Sequence, residues 1–288
     1  MNKKSKLSAE IFRNLCFEFE IPFHDVASVR SYDETTLFCP AGMQQFKSRF
    51  IDESYRDQTV ANIQSCLRLT DLIQIGDGTH SIVFRMIGLF SFRDWSVKSA
   101  IEFFHRFIGD CGLTIAYVTV HPDKMDEWRD WHPIEIEVRP DFECQWSDGN
   151  VGGYCTEFYV LDDHSNAVEI GNIVNPLGTC IDVGFGADRI DQLMLKSKPR
   201  SEVEELKSAC DALISDGFVP SPNRHGYILR KLLRILDKKG GELNHPYFYV
   251  EKSKRQDAII RYNRLLPKNL DKSQAWWKDT HGIDPLEF

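Results

Sequence analysis

Cys180-Ile181-Asp182-Val183-Gly184-Phe185-Gly186-Ala187-Asp188-Arg189-Ile190-Asp191-Gln192-Leu193-Met194-Leu195 decides how the rest of this 288-residue chain is read. Its first half reads as a buried strand ending in two glycines, its second as an apolar helix with an arginine on the first turn. Glycines at a strand-to-helix junction let the backbone come close to a ligand and present amide donors there. Arg189, fixed just beyond them, suits a polyphosphate or a purine face, and Asp182 suits a substrate ammonium. Alone, Gly-x-Gly-x-x-Arg also describes an ordinary tight connection. Two other phosphate sites are set aside. No Gly-x4-Gly-Lys-Ser/Thr loop occurs, and a Rossmann turn needs a third glycine in an early βαβ unit, where this late segment has Arg189.

Upstream, residues 6–20 carry Leu7, Ile11, Leu15 and Phe19 on one helical stripe. Residues 36–39 read as a strand, and Pro40-Ala41-Gly42-Met43 turns into a short helix through Phe46. Strands follow at 62–69 and 82–90, separated by the turn Gly76-Asp77-Gly78. Residues 97–110 read as a helix, and 113–120, 134–138, 156–161 and 168–174 as further strands. Strands joined mostly by turns, with helices at the start and middle, indicate an α+β domain on an antiparallel sheet. The pattern changes after residue 197. Lys198-Pro199-Arg200-Ser201 is a linker, Ser201 and Glu204 form a capping box, and residues 201–215 and 224–238 are helical. The last fifty residues are polar and aromatic without a clear repeat. The division expected is a catalytic-type domain over 1–197 and a helical appendage over 198–288.

Net charge is −8 and unevenly spread. Residues 191–288 hold 18 Lys+Arg against 14 Asp+Glu, and residues 1–190 hold 17 against 29. An acidic front half is not a broad nucleic-acid surface. No apolar run approaches membrane-spanning length, and Met1-Asn2-Lys3-Lys4-Ser5-Lys6 leads into an amphipathic helix rather than a signal core. The eight cysteines are scattered with no Cys-x2-Cys pair, which argues for reduced core thiols in a cytoplasmic protein and against a structural zinc site.

Four further segments stand in order with Asp182–Arg189: Leu37-Phe38-Cys39-Pro40-Ala41-Gly42-Met43-Gln44-Gln45-Phe46-Lys47; Gln64-Ser65-Cys66-Leu67-Arg68 with Asp71-Leu72-Ile73-Gln74-Ile75-Gly76; Phe84-Arg85-Met86-Ile87-Gly88-Leu89-Phe90-Ser91-Phe92; and Glu169-Ile170-Gly171-Asn172-Ile173-Val174. The ordered set resembles the catalytic domain of the alanyl-tRNA synthetases, over about residues 10–240 and including Gly226-Tyr227-Ile228-Leu229-Arg230. The resemblance implies a class II aminoacyl-tRNA synthetase antiparallel sheet flanked by helices, which binds ATP and forms an aminoacyl-adenylate. It implies that Arg68 holds the α-phosphate and carboxylate, that Arg189 lies against adenine or γ-phosphate, and that Phe84 stacks on adenine. Met86, Gly184 and Gly186 would line the nucleotide site, with Mg2+ on the phosphates held by Glu157 and Glu169. Asp182 matches the ammonium-binding aspartate, Asn172 and Gly184 contact the amino acid, and Val174 lines an alanine pocket. The pocket tryptophan falls at Cys144 or Trp146. Chemistry agrees, because carboxylate attack on the α-phosphate needs charge neutralisation more than proton transfer.

Departures are equally specific. The family's Phe-Glu-Met reads Phe84-Arg85-Met86, a charge reversal beside the expected nucleotide site, and its Leu-Glu-Arg reads Ala187-Asp188-Arg189. The loop after Arg68 is shorter, and Trp-Asn becomes Gly171-Asn172. An asparagine that helps read the acceptor stem becomes Pro222 or slips to Asn223, and proline supplies no donor. The 288 residues include no counterpart of the family's editing or oligomerisation domains. The expectation is therefore activation of a small amino acid, alanine by default, with transfer to a carrier-protein thiol or a small-molecule amine rather than tRNA. The alternatives are a compact enzyme of this family that charges tRNA, and an inactive nucleotide- or RNA-binding module.

Overall fold

The computed structural model describes residues 7–149, 151–281 and 283–287. The chain divides into two compact units, Met1–Arg68 with Phe84–Pro199, and Leu69–Val83 with Arg200–Phe288. Among the described residues the sheet comprises β1 Phe23–Val26, β2 Gln58–Leu67, β3 Val83–Phe92, β4 Ile115–Val120, β5 Glu137–Pro140, β6 Gln145–Asp148, β7 Val151–Leu161, β8 Ala167–Val174 and β9 Cys180–Gly186. Its order is β1-β2-β3-β9-β8-β7-β4-β5, with β6 paired to β7. The central ladders β3/β9, β9/β8, β8/β7 and β7/β4 are antiparallel, and the outer pairs β1/β2 and β4/β5 are parallel. The fold is α+β, as expected.

Strict alternation along these strands gives the sheet two different faces. Odd positions on β9 (Ile181, Val183, Phe185) and β3 (Ile87, Leu89) join Phe158 in an apolar layer. Helices α1 Ser8–Glu18, α3 Val97–Asp110 and α5 Ala187–Leu195 close that layer together with Trp128 of the short α4 Met125–Trp128, while α2 Lys47–Ile51 packs elsewhere through Phe50. The Ser96 side chain accepts the Ser99 N–H and starts α3, whose Ala100, Ile101, Phe104, Phe107 and Ile108 are fully buried. Ser8 ties α1 to α5 through its N–H to Asp191 (2.7 Å) and its hydroxyl to the Ala187 carbonyl (3.1 Å).

In the second unit the expected capping box forms at Ser201 and Glu204 and opens α6 Glu202–Ser215. Helix α7 Arg224–Lys238 packs on it and on α8 Pro246–Leu265, and α9 Gln274–His281 follows. Buried Glu205 accepts from the Ser81 hydroxyl (3.0 Å) and the Ile82 N–H (3.2 Å), so the segment after Arg68 belongs to this helical unit.

Several local expectations are corrected. The strand expected at 36–39 is only a single bridge, Arg30 to Phe38. The strand expected at 134–138 starts at Glu137, because Pro133 makes a turn that leaves Ile134 fully exposed. Strands β1 and β6 went unread, since four residues are too few to show a period. Helix α8 also escaped notice, because it buries little beyond Phe248 and Glu251 and so has no apolar stripe.

Candidate functional site

The even positions of β3 and β9 build the other face, and strand register sets its side chains in rows. In one row Phe90, Asp182, Val174 and Cys155 stand opposite one another on β3, β9, β8 and β7. Cys144 extends that row by accepting the Cys155 N–H at its carbonyl (2.9 Å). The next row runs Gly88, Gly184, Asn172, Glu157 and Thr119. Beyond it Met86 faces Gly186, while Glu169, Tyr159 and Tyr117 continue on β8, β7 and β4. Of the site residues named from the sequence between positions 84 and 186, all but Phe84 and Trp146 thus fall in three neighbouring rows.

Glu169 reaches this face only because β8 is bulged. Residues 169 and 172 are three apart, which in a regular strand puts them on opposite faces. Phe158 pairs with Gly171 but Tyr159 pairs with Glu169, so Ile170 is an extra residue and the alternation resets. Gly171 is required beside it. A Cβ there would collide with the Phe185 ring and the Gly184 carbonyl, which accounts for the missing tryptophan before Asn172. Gly88 serves the front face likewise, since a Cβ would come within 2.5 Å of the Asn62 side-chain oxygen and the Phe90 ring.

Charge converges on Glu169. Burial raises its pKa most, Glu157 raises it further, and Arg189 and Arg68 oppose both. Arg189 also donates Nη1–H to the Glu169 carbonyl (2.6 Å). Arg68 donates Nε–H to the Pro40 carbonyl (2.8 Å), and its guanidinium lies 5.0 Å from the centre of the Phe84 ring. The Phe84 face therefore engages a cation here, one of the π-systems' favoured partners. Glu157 accepts at Oε2 from the Tyr159 hydroxyl (2.8 Å) and the Thr119 hydroxyl (3.3 Å). Two carboxylates that influence each other on one face offer the oxygen donors that a hard divalent cation such as Mg2+ takes. The glycines fit a nucleotide, because Gly184 and Gly186 leave β9 without side chains beside Met86.

At the far end of the rows, Trp146 packs against Cys144, Cys155 and Val174. Both candidates for the pocket tryptophan therefore share one corner. Sequence reasoning passed over Asn62, Thr119, Tyr159 and Cys155. Asn62 is buried on β2, donates to the Gly42 carbonyl (3.0 Å) and leaves its side-chain oxygen without a protein donor. The signal available was alternation: Asn62 and Gln64 stand two apart, alternating with the apolar Ala61 and Ile63.

Arg85 proves to be on the opposite face. Its Nε and Nη2 reach Asp188 (2.8 and 2.6 Å), its backbone N–H reaches the other Asp188 oxygen (2.7 Å), and Nη2 also reaches Asp191 (2.9 Å). These carboxylates raise the arginine pKa against the opposing effect of burial. The charge reversal expected beside the nucleotide is instead an ion pair between β3 and α5, matched by the change to Ala187-Asp188-Arg189.

The model of the class II (A) tRNA synthetases matches residues 22–190, which include the whole of this face. The chain belongs to that family. More narrowly, it is a homologue of the alanyl-tRNA synthetase catalytic domain. The alanine–tRNA ligase of Francisella philomiragia is 28% identical over 84% of this chain and 36% of its own length. That of Buchnera aphidicola subsp. Baizongia pistaciae is 25% identical over 83% of this chain and 37% of its own length. The chain thus spans little more than a third of these relatives. A solved RNA binding domain of threonyl-tRNA synthetase from Cryptosporidium parvum covers 65% of this chain and 62% of its own, at 11% identity and a TM-score of 0.45, too loose a likeness to place any residue. Among the described residues no helix is long and apolar enough to cross a membrane.

Proposed function

We propose that the front face activates a small amino acid with ATP. The amino-acid carboxylate attacks the α-phosphate, an aminoacyl-adenylate forms, and pyrophosphate leaves. The observation that supports this most is the patch around Glu169, on which Glu157, Arg189 and Arg68 all act, with Glu157 in the row of Asn172 and Gly184 and Glu169 in the next. Arg68 neutralises the reacting carboxylate and α-phosphate, and Arg189 holds the far end of the nucleotide, with Phe84 and Met86 beside the base. Preorganised cations of this kind stabilise developing charge without reorganising at the moment of reaction. Asp182 takes the ammonium, Asn172 orients the amino acid, and Val174 with Cys144 and Trp146 limits its size. Glu157 and Glu169 would hold Mg2+, which supplies further charge neutralisation on the phosphates. Alanine is the first substrate to try, because the relatives carry that name.

The acceptor we favour is a carrier-protein thiol or a small-molecule amine, on the shortened loop after Arg68 and on Pro222. Charging of tRNA is the second reading. Its support is that the match to alanine–tRNA ligases covers 84% of the chain, more than the catalytic segment alone. An inactive module loses its motive once Arg85 is turned to the other face. Pyrophosphate exchange into ATP, run across the twenty amino acids and β-alanine, tests the activation step. Exchange with one small amino acid is expected, and none with any of them would sink the proposal. Transfer assays with tRNA, a phosphopantetheine thiol and simple amines then separate the acceptors.

A further inference from the structure

We propose that Cys144, Cys155 and Glu157 form a site for a zinc-class divalent cation at the wall of the amino-acid pocket. The metal site stands on these side chains alone, and only its place beside a substrate pocket rests on the adenylation reading. One ligand atom from each of the three residues lies within 4.8 Å of the others. Zinc bonds of about 2.3 Å to sulfur and 2.0–2.2 Å to oxygen put tetrahedral ligands roughly 3.5–3.8 Å apart, so small side-chain rotations close the set.

The scaffold is rigid. Cys155 and Glu157 are alternate positions on β7 and share its front face. Cys144 stands opposite Cys155, joined by its carbonyl to the Cys155 N–H, at the start of the β6/β7 hairpin. Both cysteines are buried. No Cys-x2-Cys spacing announces this pair because the two sulfurs meet across a ladder, eleven positions apart in the chain. An outer shell is present as well. Cys144 Sγ donates to the Thr119 hydroxyl (3.0 Å), and Thr119 and Tyr159 both donate to Glu157 Oε2. Outer hydrogen bonds of this sort orient metal-binding carboxylates.

Two thiols select a borderline-soft cation over Mg2+ or Ca2+. Both thiols release their protons to solvent, the two thiolates and the Glu157 carboxylate bind, and no electron moves. Three protein ligands leave a fourth position, the pattern of zinc sites that meet small molecules rather than of closed structural ones. Val174 and Trp146 pack against the two cysteines and border it. When this site is filled, the Mg2+ role proposed above for Glu157 and Glu169 rests on Glu169 alone.

The test is Co2+ titration of the full chain, stripped of metal by a chelator under reducing conditions, with neither ATP nor amino acid present. One equivalent should give thiolate-to-cobalt charge-transfer absorption that Zn2+ abolishes and excess Mg2+ does not. Cys144→Ser and Cys155→Ser should remove the band, Glu157→Gln should weaken binding at least tenfold, and Cys210→Ser in the helical unit should change nothing. Should the serine variants fail to fold, zinc-edge X-ray absorption on the unaltered chain must show two sulfur and two lighter ligands. Absence of the band, its persistence in a folded Cys155→Ser chain, another sulfur count, or a Cys144–Cys155 disulfide in freshly purified protein overturns the site. Pyrophosphate exchange is measured separately, so the metal site and the adenylation reading can fail independently.

Discussion

The two faces of one sheet make the instructive comparison in this molecule. Along β9 the chain alternates Ile181, Asp182, Val183, Gly184, Phe185 and Gly186, so neighbouring residues serve opposite ends. The back face is aromatic and closed: Phe185 stacks on Phe104 with centroids 4.7 Å apart and meets Phe158 at 5.4 Å. The front face carries glycines, arginines, carboxylates and thiols, and Glu169 there is buried near Glu157. A face whose aromatic side chains fill one another's space supports the fold, whereas one that buries a carboxylate near a second carboxylate and two arginines is a candidate site.

If that division is right, substitutions on the two faces should fail in different assays. Phe185→Ala should produce the largest change, about 3–5 kcal/mol of lost stability from a fully buried ring. Denaturant midpoints measure it, and a loss under 1 kcal/mol would break the claim that the back face carries the fold. Arg189→Ala should do the reverse, lowering pyrophosphate exchange roughly 100- to 1,000-fold with little shift in the unfolding midpoint. A matching fall in stability would mean that Arg189 is mainly structural.

Acid should act through the back face. His105 and His132 lie 3.0 Å apart beside Phe158, and burial holds their pKa values down to about 4 and about 3. Each is neutral in the folded chain, while in the unfolded chain each titrates near 6.5. Between about pH 6.5 and 4 the unfolded state therefore binds protons that the folded state does not. Stability is full above that window and falls on acidification, by up to about 1.4 kcal/mol per pH unit for each histidine. Urea midpoints at pH 7.5 and 5 measure this slope, and His132→Gln should flatten it. An unchanged slope in that variant would remove the pair from the account. The smallest effect expected is that of Arg85→Ala. Its ion pairs are partly exposed, so about 1 kcal/mol or less of stability should go, and exchange activity should stay within a few-fold. Collapse of activity in that variant would place Arg85 back beside the nucleotide.

Much of the front face was legible from residue order, because its parts are short strands whose alternation can be read directly. Asp182, Gly184 and Gly186 share a face by spacing alone, as do Phe84, Met86 and Gly88. Arg85 was misplaced although the same alternation assigns it to the back, because it was judged by its neighbours in sequence rather than by period. Glu169 could not be placed by alternation, since the bulge at Ile170 breaks the period that such a reading assumes. In the helical unit the capping box at Ser201 is a local four-residue device and was legible, whereas α8 has too little buried surface to show a stripe.

Sequence by itself determined the α+β class, the strand carrying Asp182, the arginines at positions 68 and 189, and the family, because each depends on residue types at short, ordered spacings. Tertiary structure alone decided that a bulge at Ile170 turns Glu169 to the front face, that Arg85 pairs with Asp188 and Asp191, and that Cys144 meets Cys155. Those depend on which strands lie side by side and in what register, and register is set by the packing of a whole face rather than by any local run of residues.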